Sequence, residues 1–232
     1  MDKIQIYPAG FIDYSNSFSK NKILAPESLR RVGAILINKN GDRFCNELGT
    51  SDYITDKIIK NCPKIPNKNN LEQFESFMII NENIVLKNGY IKNYINKGLF
   101  KKYNNFKHFA KDNKIKQKTL IRTINIYNDL AKKKKTDPFG KNIYPEKFNA
   151  KQPIYVATIS PVINYCLGGI KINKETEVLS KNKTINGLYA AGEITGGVHG
   201  DNILDGNTLL ECIVFGKKAG KNAIKYTQLK SN

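Results

Sequence analysis

Short apolar runs separated by turn residues predict strands in the first third of the chain. IQIY, residues 4–7, predicts a strand that stops at Pro8, and FMIIN, residues 77–81, predicts another. An Asn-Gly pair stands between two apolar runs within residues 34–45. Because Asn-Gly favours a two-residue turn, residues 34–45 are predicted to form a β-hairpin.

Apolar positions with a helical period dominate the middle of the chain. A short helix is predicted over residues 52–61, and a lysine- and asparagine-rich loop over residues 64–70. Residues 82–133 are predicted to form several amphipathic helices, whose apolar positions include Leu120, Ile121, Ile124, Ile126 and Leu130. DPFGK, residues 137–141, ends this helical part.

The last third of the chain combines apolar strands with many glycines. INGLYAAGE predicts a strand, and GNTLLECIVFGKKAGKNAIKY predicts a long, partly buried helix with Asn207 as its N-cap. Between them lies a glycine-rich loop, residues 192–206, whose backbone N–H groups would suit an anionic or polar cofactor group. The loop has no G-x-G-x-x-G, so a plain turn accounts for it equally well.

Composition places the chain among globular proteins, since 232 residues with 40% hydrophobic content can bury a core in one domain or in two small ones. No apolar run is long enough for a membrane span, and the first residues resemble neither a secretory signal nor a transit helix. We therefore expect a soluble, intracellular protein. The four cysteines have no C-x-x-C spacing, which predicts reduced, mostly buried thiols and no metal site.

The formal net charge of +18 raises the question of a polyanionic partner. Lysines far outnumber arginines and are interleaved with asparagines along the whole chain. The densest run, Lys132 to Lys135, follows a predicted helix, where the helix dipole favours cations. This distribution is typical of a solvated surface and disfavours nucleic-acid binding.

Several separated motifs resemble one family of flavoproteins. GGIKIN, GLYAAGEITGGVHGDN and GNTLLECIVFGKKAG, within residues 168–220, are similar to the C-terminal flavin-binding region of the fumarate reductase and succinate dehydrogenase flavoproteins. IQIYPAGFID, RRVGAILINKNGDRFCNEL and DPFGK resemble the capping region of the soluble, single-chain fumarate reductases. The match is collinear from about residue 3 to residue 226.

The resemblance implies an α+β chain in two parts. Residues 1–162 would be a capping domain with a β-hairpin and helices. Residues 163–232 would be the C-terminal strand-loop-helix part of a Rossmann-like FAD-binding domain. The N-terminal half of that domain is absent, so apolar surface should be exposed. An N-terminal flavoprotein half or self-association would then cover this surface.

FAD is the cofactor that the resemblance implies, and the positions that match its contacts are retained. Glu193, after Gly192, matches an acidic residue that hydrogen-bonds FAD hydroxyls. The helix start matches the backbone that faces the flavin pyrimidine ring. The matching positions are Gly192, Glu193, His199, Gly206, Asn207, Thr208 and Leu209. Alternatively, the glycines are plain turn residues and His199 is a satisfied structural group.

The positions that match the substrate-handling residues are replaced. The family uses two histidines and two arginines to hold a dicarboxylate and to protonate a carbon. Tyr7 and Asn164 stand at the histidine positions, and Ser51 and Ile203 stand at the arginine positions. Ser51 is too weak an acid to replace the arginine that donates the proton, and Ile203 offers neither charge nor donor.

Glu27 and Arg30 match the pair that relays protons to the missing donor. A surface ion pair at helical spacing is the alternative explanation of these two residues.

Three functions remain open from the sequence. The first is a degenerate fumarate-reductase-like fragment with little or no fumarate reduction. The second is a noncatalytic interaction module, or the complementing half of a split flavoprotein. The third is an FAD oxidoreductase that acts on a less acidic enone, which a less charged pocket would suit.

Overall fold

A computed structural model describes residues 3–13, 15–17, 19–66, 72–200, 203–204 and 206–230. The chain forms two compact units. The larger unit comprises Ile6–Val162, and the smaller comprises Met1–Gln5 with Ile163–Asn232, so far as these residues are described.

A five-stranded sheet forms the centre of the larger unit. Its strands are β1 (Ile4–Phe11), β2 (Ile35–Ile37), β3 (Ser76–Asn81), β4 (Lys101–Tyr103) and β5 (Ile154–Cys166). They are ordered β1-β5-β3-β2, and β4 also pairs with β5. β3 runs antiparallel to β2 and to β5, with Ile79 opposite both Ile35 and Val156.

The predicted end of the first strand at Pro8 is wrong, because β1 continues through Pro8 to Phe11. β1 stands at the end of the sheet order, and proline is tolerated in such a strand because it interrupts pairing with one neighbouring strand only. Phe11 donates its backbone N–H to Ile23, and Ala9 accepts from Ala25, so the chain continues to pair beyond the proline.

The predicted hairpin over residues 34–45 is only partly correct. The chain does reverse there, but a single bridge joins Ile37 to Arg43, and β2 has its ladder with β3 instead. The Asn38 side chain accepts from the backbone N–H groups of Asn40 and Asp42, both at 3.0 Å, which closes a longer turn than the two-residue type.

In the described part of this unit, six helices pack around the sheet: α1 (Glu27–Arg31), α2 (Ser51–Asn61), α3 (Glu82–Lys87), α4 (Ile91–Asn96), α5 (Phe106–Asp112) and α6 (Gln117–Lys133). The helix predicted over residues 52–61 is confirmed, and Thr50 caps its N-terminus. The predicted strand over residues 77–81 is also confirmed. Residues 67–70 of the predicted loop lie outside the described residues.

The helices cover both faces of the sheet, which explains the unbroken apolar run in β3. Met78 and Ile80 belong to one core cluster, together with Ile54 and Ile58 of α2. Phe77 and Ile79 point to the other face and belong to a second cluster, which includes Leu120, Ile124 and Tyr127 of α6 and Phe106 and Phe109 of α5. Successive side chains of a strand alternate between faces, so a strand buried on both sides needs apolar residues throughout.

A buried ion cluster ties the turn after β2 to the segment DPFGK. Arg43 donates to both carboxylate oxygens of Glu47 (2.8 and 2.7 Å) and to Asp137 (2.8 Å). Lys141 donates to Glu47 at 2.8 Å. The side chains of Glu47, Asp137 and Lys141 are fully buried. The charges balance, as a buried network requires.

The smaller unit contains β6 (Ile170–Lys171), β7 (Glu177–Ser180), β8 (Lys183–Tyr189), β9 (Thr195–Gly196) and α7 (Asn207–Lys230). β7 and β8 form a hairpin, and β6 pairs with β9 in parallel. Within the described residues, no helix combines the length and apolar character that a membrane crossing needs.

The last helix is partly buried, as predicted, but the burial does not fall on most of its apolar positions. Among the described residues of α7, Glu211 alone is buried. The apolar side chains remain exposed: Leu209, Leu210, Ile213, Val214, Ile224 and Leu229.

Candidate functional site

A glycine-rich loop, residues 192–200, packs on the first turns of α7. Gly192 has a φ of +85°, which lets the chain turn sharply after β8. Thr195 closes this turn, since its backbone N–H (2.9 Å) and its hydroxyl (2.8 Å) both donate to the Gly192 carbonyl. A Cβ added to Gly192 would lie 3.4 Å from Sγ of Cys212 on α7. The loop is therefore an ordered structure in contact with the helix.

Glu211 of α7 makes the polar contacts between the helix and this loop. Its Oε1 lies 3.0 Å from the Thr195 hydroxyl, and its Oε2 lies 2.7 Å from Nε2 of His199. The Glu211 side chain is only 3% exposed and that of His199 only 9%. A buried carboxylate needs such partners because its desolvation is otherwise costly. Both carboxylate oxygens therefore lie within hydrogen-bond distance of the loop.

The other side of the loop is fixed by the segment around β6. Ile170 donates its backbone N–H to Ile194 at 2.8 Å, and Gly197 donates to Leu167 at 3.2 Å. A Cβ added to Gly169 would lie only 2.4 Å from the Ile194 carbonyl oxygen. Only glycine allows this close approach of the two backbones.

Several backbone positions of the loop face open space. Gly197, Gly200 and Gly206 have φ values of +89°, +66° and +87°. A Cβ added at any of the three would meet nothing within 4 Å. The Glu193 side chain, in the same loop, is also exposed. A flat ligand could therefore approach this backbone, and a carboxylate is available for its hydroxyl groups.

The start of α7 supplies the second half of the candidate flavin site. Asn207 and Thr208 are half-buried, and Leu209 is 67% exposed. α7 has 24 residues, and the first N–H groups of such a helix have no partner within it and carry a partial positive charge. An apolar side chain beside these donors fits an aromatic ring system with an electron-rich edge. The residues present therefore fit FAD.

The sequence predicted that the glycine-rich loop and the start of α7 share a site. The loop contacts α7 at positions 211 and 212, one helical turn after Asn207. Gly192, Thr195 and His199 flank Glu193 on the loop, and each lies against position 211 or 212 of α7. His199 is hydrogen-bonded to Glu211, which agrees with the alternative that His199 is a satisfied structural group.

Tyr165 extends this site. Its ring lies edge-on to that of His199, with 6.1 Å between the ring centroids. Burial raises the pKa of the Tyr165 hydroxyl, and the nearby carboxylates of Glu211 and Glu193 raise it further. The hydroxyl therefore stays protonated at neutral pH and remains a hydrogen-bond donor.

Sequence analysis missed Thr195, Glu211 and Tyr165. Glu211 could have been found from the sequence, because it stands inside the apolar run LLECIV. A carboxylate that is buried together with such a run requires a polar partner.

Two of the predicted substrate positions lie in the larger unit. Tyr7 is half-buried in β1, and its hydroxyl donates to the Ala25 carbonyl at 3.0 Å. Ser51 is half-buried and is the first residue of α2. The single hydroxyl proton of Tyr7 is thus engaged within the chain.

The other two predicted substrate positions lie in the smaller unit. Asn164 is exposed near the end of β5. Ile203 is half-buried in a segment without regular secondary structure, close before α7.

Glu27 and Arg30 do not pair with each other, so their interpretation as a surface ion pair is wrong. Glu27 pairs with Arg31 at 2.6 Å instead. Arg30 is only 1% exposed, and its Nε donates to the Glu47 carbonyl at 3.0 Å. Its Nη1 is buried without a partner in the described part of the chain. Positions three and four residues apart are both neighbours on a helix, but Arg30 is buried and donates to Glu47, which leaves Arg31 to pair with Glu27.

The prediction of mostly buried thiols holds for two of the four cysteines. Cys45 and Cys62 are buried, whereas Cys166 and Cys212 are exposed. Burial raises the pKa of the Cys62 thiol to about 12, so this thiol stays protonated. Within the described ranges, no group of histidine, cysteine and acidic side chains is arranged to hold a metal.

Comparison with known proteins identifies similar sequences along almost the whole chain. A family model described as an FAD binding domain matches residues 1–209. The chain is 38% identical to the fumarate reductase of Schizosaccharomyces pombe, over an alignment that covers 96% of this chain and 42% of that protein. It is 36% identical to fumarate reductase 1 of Saccharomyces cerevisiae, over 96% of this chain and 47% of that protein. The chain thus spans less than half the length of these relatives.

Solved structures agree with these sequence matches. The open conformation of a flavocytochrome c3 fumarate reductase superposes with a TM-score of 0.72 at 33% identity, and 97% of this chain covers 37% of that one. A 3-ketosteroid Δ1-dehydrogenase from Sterolibacterium denitrificans has a TM-score of 0.63 at 19% identity, over 95% of this chain and 43% of that one. The second likeness concerns the fold alone.

Proposed function

This chain belongs to the FAD binding domain family, among the fumarate reductase and succinate dehydrogenase flavoproteins, and we propose that it forms the flavin-binding part of a flavoprotein that no longer reduces fumarate. FAD is the cofactor that this family membership indicates. The bound flavin would supply the hydride for reduction of a carbon–carbon double bond.

Ile203 is the observation that carries the proposal. A dicarboxylate must be held by cationic or hydrogen-bonding groups, since its two charges lose their hydration on binding. Ile203 stands where the family resemblance expects an arginine, and its side chain has no polar atom. Truncating one partner of a buried charge pair typically costs about 2–5 kcal/mol.

The remaining positions do not replace the lost groups. Ser51 cannot donate a proton as readily as a positioned acid, whose removal typically slows a reaction about 100- to 10,000-fold. The Tyr7 hydroxyl already donates to Ala25 within the chain. The flavin-facing positions, by contrast, are retained at Glu193 and at the start of α7.

Complementation tests this proposal. The chain is co-produced with the N-terminal half of the Schizosaccharomyces pombe fumarate reductase, and flavin content is measured by absorbance. We expect flavin to be retained, with fumarate-dependent reoxidation at least about 100-fold slower than in the same half paired with its own C-terminal part. The double variant Ser51→Arg with Ile203→Arg should regain part of the rate. Fast turnover by the unchanged chain would refute the proposal.

We also propose that a second polypeptide, the N-terminal half of an FAD domain, covers the apolar face of the smaller unit. The exposed fractions are 60% for Ile213, 50% for Val214 and 47% for Leu188. Several large apolar side chains exposed on two elements of one unit are typical of an interaction site. A noncatalytic role in holding that partner needs the same surface. Size-exclusion chromatography with light scattering should show self-association of the chain alone, and a stable monomer would count against the partner.

A changed substrate is the second candidate activity. The four substrate positions, Tyr7, Ser51, Asn164 and Ile203, carry no charge, which suits a less acidic enone better than a dicarboxylate. A screen of uncharged enones and monocarboxylates with the reconstituted flavoprotein would separate this candidate from a protein without activity.

A further inference from the structure

We infer that Glu211 is the positioning residue of the flavin-facing loop: its carboxylate fixes the loop on α7 through Thr195 and selects the Nε2-protonated tautomer of His199. The inference deepens the proposed function and rests on it only for the role of flavin. The contacts themselves lie within the smaller unit.

The burial of Glu211 is the first reason. Among the described residues of α7, it alone is buried, in a helix whose apolar side chains are exposed. A carboxylate loses its hydration when it is buried, so its position needs compensating contacts.

The geometry of the two contacts is the second reason. The 2.7 Å between Glu211 Oε2 and His199 Nε2 is a charge-assisted hydrogen bond when Nε2 carries the proton. An ionised carboxylate can only accept, so it selects the imidazole tautomer with hydrogen on Nε2 and leaves Nδ1 as the acceptor.

Thr195 links the same carboxylate to the turn that places Glu193. Its hydroxyl lies 3.0 Å from Glu211 Oε1 and 2.8 Å from the Gly192 carbonyl oxygen. Gly192 and Thr195 stand on either side of Glu193 in the sequence. The hydroxyl has one proton for these two acceptors, so a change at Glu211 is felt at the turn. The loop amides and the Glu193 carboxylate are therefore expected to lose their fixed direction when Glu211 is changed.

The test compares Glu211→Gln and Glu211→Leu with the control Glu175→Gln in the full chain without flavin. Glu175 also contacts α7, through Lys218 and Asn222, but it lies outside the loop. Hydrogen exchange followed by mass spectrometry should become at least about tenfold faster in residues 192–200 of both Glu211 variants, since a charged hydrogen bond is lost. The control should leave loop exchange unchanged.

The tautomer of His199 is read by nitrogen NMR of histidine-labelled protein at mildly alkaline pH. The chain has only two histidines, so His108→Gln assigns the signals. The unchanged chain should show a protonated Nε2. Glu211→Gln offers an amide N–H to this nitrogen, and part of the His199 population should shift to the Nδ1-protonated form.

A third readout concerns the cofactor. In the complex with the N-terminal half, the Glu211 variants should bind FAD about tenfold more weakly, and Glu175→Gln should not. If the unchanged complex fails to bind FAD, the proposed function fails while exchange and tautomer still decide the inference. Should Glu211→Leu not fold, Glu211→Gln decides. Unchanged loop exchange together with an unchanged tautomer in Glu211→Gln would overturn the inference.

Discussion

Glu47 illustrates how a single buried side chain can organise distant segments of this protein. Burial alone would raise the pKa of its carboxyl, but Arg43 and Lys141 lower this pKa to about 2. The same carboxylate also accepts from the backbone N–H of Leu36 at 3.3 Å. Glu47 therefore joins β2, the following turn and the segment that ends the helical region.

The lowered pKa predicts how stability depends on pH. The carboxyl titrates near 4.5 when unfolded and near 2 when folded, so its contribution to stability is complete above pH 4.5 and is lost as the pH falls toward 2. Glu47→Gln should destabilise the chain by about 3–5 kcal/mol near neutral pH, because buried Lys141 loses its carboxylate partner and Arg43 keeps only Asp137. The difference in urea midpoint between the two proteins should shrink from pH 4.5 to pH 2. A difference independent of pH would show that the ionised carboxylate is not the stabilising form.

At each of the four substrate positions, a single side chain differs from the residue that the family motif has there. Ile203 and Ser51 remove charge, whereas Tyr7 retains a hydroxyl that is already engaged by Ala25. The proposed loss of fumarate reduction therefore requires no change of fold.

At the scale of elements, the pairing of β6 with β9 fixes the inner side of the glycine-rich loop. The pair is parallel and only two residues long, with Ile170 opposite Thr195. It persists because Gly169 lets the backbones approach closely. This short pair places Thr195 where Glu211 can reach it.

Gly169→Ala should disrupt this pair. The added Cβ would lie 2.4 Å from the Ile194 carbonyl oxygen, so one backbone must move. We expect a loss of about 1–3 kcal/mol in unfolding free energy and faster hydrogen exchange in residues 192–200. Gly216→Ala is the matched control, because a Cβ there meets nothing within 4 Å and alanine favours the helix by about 0.5–1 kcal/mol. Equal stability of the two variants would contradict the role of Gly169.

Errors of prediction at this scale have local causes. Pro8 did not end β1, since the strand stands at the end of the sheet order. The Asn-Gly pair did not form a two-residue hairpin, because Asn38 closes a longer turn with its side chain. Neither the order of strands nor a competing side-chain contact can be read from a short run of residues.

For the molecule as a whole, exposed apolar surface on the smaller unit is the dominant property. The described part of this chain leaves apolar side chains of α7 and β8 exposed to solvent. The proposal of a partner polypeptide follows from this surface, and the net charge of +18 opposes uncontrolled association of like chains.

Association should therefore weaken when the face of α7 is made polar. Ile213→Lys with Val214→Lys replaces two side chains that are 60% and 50% exposed, so unfolding free energy should change by less than about 1 kcal/mol. Light scattering should show a smaller average mass than for the unchanged chain, and complex formation with the N-terminal half should be lost. Lys132→Ala with Lys133→Ala, at the end of α6, serves as the control. An unchanged mass would exclude this face as the contact.

The sequence by itself determined the family, the cofactor class and most helices and strands of the larger unit. These depend on local periodicity and on motifs that keep their order along the chain. Only the tertiary structure decided which partner each charged group takes: Arg31 rather than Arg30 for Glu27, and Glu211 for His199. Such pairings depend on distances between segments remote in sequence or on the rotation of a helix, and a one-dimensional pattern does not contain them.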